Sequence, residues 1–138
     1  MAGYSGKPLG EKLGIKRGSR VFLSNAPKHY MTLVAPLPEG VHMASRPGFT
    51  TDLAHLFVTT RGQLERVLRS TVARCKDDCP IWVSWPKRAS GVATDVTEDT
   101  IRAIALPMGL VDIKVCAVDD VWSGLKLVVR RERRAKKH

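Results

Sequence analysis

Absences sort the possibilities for this 138-residue chain before any motif does. No apolar run approaches the ~20 residues that a membrane-crossing helix needs. The opening Met1-Ala2-Gly3-Tyr4-Ser5-Gly6-Lys7 has no apolar stretch of the secretory kind, so the expectation is a cytoplasmic protein with no membrane partner. Aromatic residues make up only 6% of the chain, which predicts an aliphatic interior. Three cysteines cannot all pair within one chain, and Cys79 and Cys116 adjoin or lie within apolar runs, the pattern of reduced thiols. There is no GxSxG nucleophile turn, no GxxxxGK[ST] phosphate loop and no HExxH helix, so no standard catalytic constellation is assigned. Cys75-Lys76-Asp77-Asp78-Cys79 holds two thiols and two acids but has no second ligand pair at zinc-finger spacing. His29, His42, His55 and His138 are scattered, and no metal site is predicted.

What is present is the balance of a globular protein: 43% hydrophobic and 26% charged residues. A chain of this length fits one domain with one main core. The formal charge is +10. Half of that excess lies in Arg130 to His138, where six Lys or Arg face one Glu. The folded surface is therefore less basic than the total suggests, and the tail, without interleaved aromatics, reads first as a solvated extension.

The first sixteen residues, with four glycines and one proline, predict an extended arm with a short turn near Glu11 to Leu13. A single α/β domain is expected over 17–130, and a basic tail over 131–138. Arg20 to Leu23 reads as a short strand ending at Ser24-Asn25-Ala26-Pro27, and a brief helix over Lys28 to Leu37 is closed by Pro36 and Pro38. Val41 to Ala44 and Leu53 to Val58 are further strands. Thr60 with Gln63 opens the best-supported helix, in which Leu64, Val67, Leu68, Thr71 and Val72 recur at helical spacing. Ile81 to Trp85 is a fourth strand. The next helix starts near Asp95 or Thr97, with Asp95 and Glu98 in a capping pattern, and Pro107 tightens its last turn before Gly109. Val111 to Val118 and Leu125 to Val129 are joined by a connection too short for a helical crossover, so they should be antiparallel. The predicted fold is a three-layer α/β sandwich, a mainly parallel Rossmann-like sheet ending in an antiparallel hairpin. An exposed final strand would offer an edge for a homodimer.

That order of elements resembles a shortened, degenerate class I methyltransferase. The resemblance implies the topology alone. The family's glycine-rich loop after the first strand corresponds to Ser24-Asn25-Ala26-Pro27, and Ser45-Arg46 stand where an acidic residue would bind ribose. No cofactor is assigned. In finer detail, GYSGKPLGEKLGIK, the WPKxxSGxxTD motif within WVSWPKRASGVATDVTED, and VDIKVCAVDDVWSGLKLV look like a family of small, mainly actinobacterial proteins classed as a domain of unknown function. It brings no activity, ligand or catalytic residue to transfer.

In such sheets ligands bind beyond the carboxyl ends of the strands. The loops expected there supply Ser24, Asn25 and Lys28; Ser45 and Arg46; Thr59, Thr60 and Arg61; and, in the most informative stretch, Lys87, Arg88, Ser90, Gly91, Thr94 and Asp95. Their cations, hydroxyls and backbone N–H groups suit an anionic ligand, set against the plain fact that loops in an arginine-rich chain are cationic anyway. Trp122 is a second candidate for covering the crevice, with a cap over the core as its plainer role. Asp119 and Asp120 read as solvated turn carboxylates. The leading expectation is a non-enzymatic binding or regulatory module for an anionic metabolite or a protein partner. An atypical S-adenosylmethionine-dependent transferase is the first alternative, and nucleic-acid association through the basic tail is the second.

Overall fold

A computed structural model describes residues 7–130 of the protein. The expected basic tail, and the first residues of the expected arm, lie outside the described residues. Six strands form one sheet: β1 (Arg20–Ser24), β2 (His42–Ala44), β3 (Leu53–Phe57), β4 (Ile81–Pro86), β5 (Leu110–Ala117) and β6 (Trp122–Val129). Their order is β2-β1-β3-β4-β6-β5. The β1–β2, β1–β3 and β3–β4 pairs are parallel, whereas β6 runs antiparallel to both of its neighbours. The predicted hairpin is present, but its last strand turns back into the sheet between β4 and β5. β6 is therefore not the edge. That place belongs to β5, where Ile113 and Val115 are exposed and the register shifts between Asp112 and Lys114. A bulge of this kind bends an edge and works against pairing with another chain.

β3 and β4 are buried along their whole length, as expected of strands covered on both faces. On one face, α3 (Arg61–Arg74) and α4 (Glu98–Ala105) place Leu64, Leu68, Ile101 and Ala105 against Ala54, Leu56, Ile81, Val83 and Trp85. On the other face, α1 (Leu9–Leu13) and α2 (Tyr30–Val34) cover Val21, Leu53, Phe57 and Trp82. No helix among the described residues is long and apolar enough to cross a membrane.

Three expectations need adjusting. The predicted arm is part of the fold from α1 onward. Leu13 is fully buried, Ile15 nearly so, and the Trp82 indole Nε1–H donates to the Leu13 carbonyl at 2.8 Å. Gly10, one of the four glycines behind that expectation, is where α1 meets α2: a Cβ there would lie 3.0 Å from the Val34 carbonyl oxygen. The helix expected over Lys28 to Leu37 is only five residues long, because Pro27 precedes it and Pro36 cannot donate to continue it. The α4 cap is Thr97 with Thr100, each side chain accepting from the other's backbone N–H, and not Asp95 with Glu98. The cap predicted for α3 is in place: Thr60 accepts from the Gln63 N–H, while the Gln63 side chain reaches back to the Thr59 N–H.

Beneath α2 lies a sealed polar cluster. His55 on β3 is fully buried and holds hydrogen bonds to Tyr30 Oη at 2.9 Å and Ser84 Oγ at 2.7 Å. Its ring stacks on Phe57 with centroids 4.4 Å apart. Burial pushes the His55 pKa down to about 3, so the folded protein holds it neutral, while the unfolded chain takes up a proton below the ordinary value near 6.5. The unfolded state then binds more protons, and stability falls as the pH drops from about 6.5 towards about 3.

Two outcomes are expected. Leu13→Ala should cost about 2–5 kcal/mol in denaturant unfolding, the usual penalty for emptying a core leucine site; a loss below about 0.5 kcal/mol, typical of surface positions, would show that α1 is a detachable arm. Between about pH 6 and 4, the stability advantage of the parent over His55→Gln should shrink by about 1 kcal/mol per pH unit. Parallel stability curves would rule out a histidine buried neutral.

Candidate functional site

β1 to β4 run parallel, so Ser24, Ala44, Phe57 and Pro86 end on one edge of the sheet, and β6 begins there with Trp122 opposite Pro86. All the ligand-binding residues predicted from sequence stand at this edge. They fall into two groups, those already engaged with the protein and those facing outward.

The loop after β4 is mostly engaged. Lys87 Nζ donates to the Asp119 carbonyl at 2.6 Å, and Ser90 Oγ donates to the Lys87 carbonyl while accepting from the Val92 N–H. Thr94 Oγ1 donates to the Thr59 carbonyl at 2.6 Å and accepts from the Val96 N–H. Asp95 Oδ1 accepts from the Arg61 N–H at 2.8 Å. This carboxylate from a distant loop sits at the positive end of α3, where it satisfies a donor the helix leaves open. Lys87, Ser90, Thr94 and Asp95 thus do structural work that their side chains alone did not disclose.

Arg88 and Gly91 face a cavity of about 350 Å3 whose walls include Trp85, Val92, Val96 and Thr97. Gly91 closes a short 3-10 turn over Arg88–Ser90 at φ 77°, a conformation that favours glycine. The cavity pairs an apolar floor with one guanidinium, so it suits a ligand with a flat or aliphatic part and an anionic end. Ser24 is half-buried at the end of β1, and Asn25 is exposed in the left-handed region at φ 56°. Arg46 is exposed after β2, as is Arg61 at the start of α3.

Trp122 is half-buried, with its ring meeting the edge of Phe57 at a centroid distance of 5.0 Å. It packs on the core, the plainer of the two roles expected of it. Asp119 corrects the solvated-turn expectation. Its Oδ1 accepts from the Val121 and Trp122 N–H groups, and its Oδ2 lies 3.1 Å from His29 Nε2. Burial pulls the Asp119 pKa up, but the hydrogen bonds from Trp122, His29 and Val121 outweigh it and hold the carboxyl below its ordinary value.

Sequence reasoning missed His29 with Asp119, separated by 90 positions, and Tyr30-His55-Ser84. The second cluster has a serine and histidine in contact, but Tyr30, His55 and Ser84 are all buried, so no substrate reaches the hydroxyl. It is core structure. Among the described residues no group of three or more His, Cys, Asp or Glu side chains could hold a metal ion.

No protein-family model matches the chain, and no curated protein does. The resemblance to an actinobacterial family therefore gains no support. Solved structures do match. A S-adenosylmethionine-dependent methyltransferase from Aquifex aeolicus superposes with TM-score 0.60 at 12% identity, over 87% of each chain. A putative type 11 methyltransferase from Sulfolobus solfataricus gives TM-score 0.61 at 12% identity, over 87% of this chain and 88% of its own. LepI in complex with S-adenosylmethionine gives 0.53 at 12% identity over 90% of this chain, which spans 47% of LepI. These likenesses establish a Rossmann-like, methyltransferase-type fold.

Proposed function

We propose that this protein is a divergent transferase of the S-adenosylmethionine-dependent class, with its ligand site on the carboxyl edge of the sheet. One observation carries the reading: a chain whose sheet has β6 inserted antiparallel between β4 and β5 superposes over 87% of its length, with TM-scores of 0.60 and 0.61, on methyltransferases of similar extent. This favours a transferase over the non-enzymatic module expected from sequence.

The edge residues do not supply the usual cradle for that cofactor. Asn25 provides a left-handed turn after β1, but the loop Ser24-Asn25-Ala26-Pro27 has no glycine to let backbone approach a ligand closely, and Pro27 removes a donor. After β2, Arg46 can only donate hydrogen bonds where a carboxylate would accept them from ribose, and its charge opposes a sulfonium cation.

That mismatch favours a second reading, a non-catalytic module in which Arg88 and the Trp85–Val96 cavity take an anionic metabolite. Calorimetric titration separates the two. The transferase reading expects S-adenosylmethionine and its demethylated product to bind, while adenosine diphosphate does not. Binding of adenosine diphosphate alone, weakened about tenfold by Arg88→Ala as for loss of one charge-assisted contact, would replace the transferase with the module. Failure of all three to bind folded protein would remove the edge as a nucleotide-type site.

A further inference from the structure

A second feature lies at the opposite end of α3, away from the carboxyl edge. Cys75 caps the helix, and the turn that follows returns the chain so that the Cys79 N–H donates to the Lys76 carbonyl. This sets the two thiols side by side, near enough for each to shift the titration of the other. Their surroundings differ. Cys79 is 3% exposed and also directs its thiol towards the Pro80 carbonyl at 3.6 Å. Cys75 is half-buried and opens onto a cavity of about 550 Å3 lined by Phe49, Val72, Ala73 and Asp77, with Arg74 and Lys76 at its rim. Phe49, 77% exposed, forms an aromatic wall of this cavity.

We propose that Cys75 and Cys79 form a reactive dithiol that exchanges with low-molecular-weight disulfides, Cys75 as the attacking sulfur and Cys79 as the resolving one. The negative end of α3 works against a thiolate at Cys75. Hydrogen bonds oppose it: the Cys79 thiol, the Thr51 hydroxyl and the Gly48 backbone bring Cys75 down to about 7 despite its partial burial. The same contact and burial push the Cys79 thiol up, so it stays protonated as a donor. Cys116 on β5 differs, because burial raises it more than Lys12 and Lys114 lower it.

The exchange balances without any further reagent. The Cys75 thiolate attacks one sulfur of RSSR, forming a Cys75–SR bond and releasing RS⁻. Cys79 gives its thiol proton to the released RS⁻ and attacks Cys75 Sγ, forming the Cys75–Cys79 disulfide and releasing the second RS⁻. Two protein sulfurs are oxidised by two electrons, and one small disulfide is reduced to RSH and RS⁻.

Intact-mass spectrometry of the reduced protein treated with oxidised glutathione tests this directly. The expected product has lost two hydrogens and carries no glutathione, with peptide mapping joining Cys75 to Cys79. Cys79→Ser should stop at one glutathione on Cys75. Cys75→Ser should react at least about tenfold more slowly, leaving only raised-pKa thiols. Parent protein that retains glutathione, or that reacts first at Cys116, would overturn the assignment. The parent measurement stands alone if either variant fails to fold.

Discussion

Asp119 is the residue on which the carboxyl edge depends. Its carboxylate accepts from two backbone N–H groups of its own turn and pairs with His29 of the β1–α2 loop. Its carbonyl accepts from Lys87 of the β4–α4 loop. One residue thereby joins three loops that approach the edge from β1, β4 and β5. The turn it closes also sends β6 back between β4 and β5. Gly124 lets that return happen: a Cβ there would lie 3.3 Å from Trp82 Cε3 and from Val118 Cγ2, tighter than ordinary contact. The inserted strand, the wall of the edge and the seat of Trp122 follow from one short turn.

A second tie holds the other half of the edge. Thr94 and Asp95 bind Thr59 and Arg61 across 35 and 34 positions, so the β4–α4 loop is fastened to the start of α3. Together the two ties leave Arg88 and Gly91 facing the cavity while Lys87, Ser90, Thr94 and Asp95 are occupied. Anchored loops that present an unengaged cation over an apolar floor are what a preorganised small-molecule site requires.

Much of the fold was legible because it is written in local patterns. The strands at Arg20 and Ile81, the Thr60–Gln63 cap and the short connection before β6 all depend on residues within a few positions of one another. What stayed hidden depends on distance. Leu13 reads as part of a glycine-rich arm until Trp82 is seen donating to its carbonyl, and Asp95 reads as the cap of the helix that follows it until Arg61 is seen to be its partner. Asp95 capping α3 rather than α4 follows from the parallel β3–β4 pairing, which sets both loops side by side. The place of the cationic WPKxxSGxxTD loop at the carboxyl ends of the strands was legible, but not the division of labour within it. Lys87 and Arg88 are chemically alike in sequence; only the fold assigns one to Asp119 and leaves the other at the cavity.

The central proposal is that the edge held together by Asp119 and Asp95 receives S-adenosylmethionine. Amide-resolved NMR titration with S-adenosylmethionine tests it at the level of single residues. The account predicts shifts concentrated at Ser24 to Ala26, Thr59 to Arg61 and Arg88 to Thr97, with the solvent face of α3 from Glu65 to Arg74 unchanged. A spectrum in which those three loops stay still, or in which α3 responds instead, would contradict it.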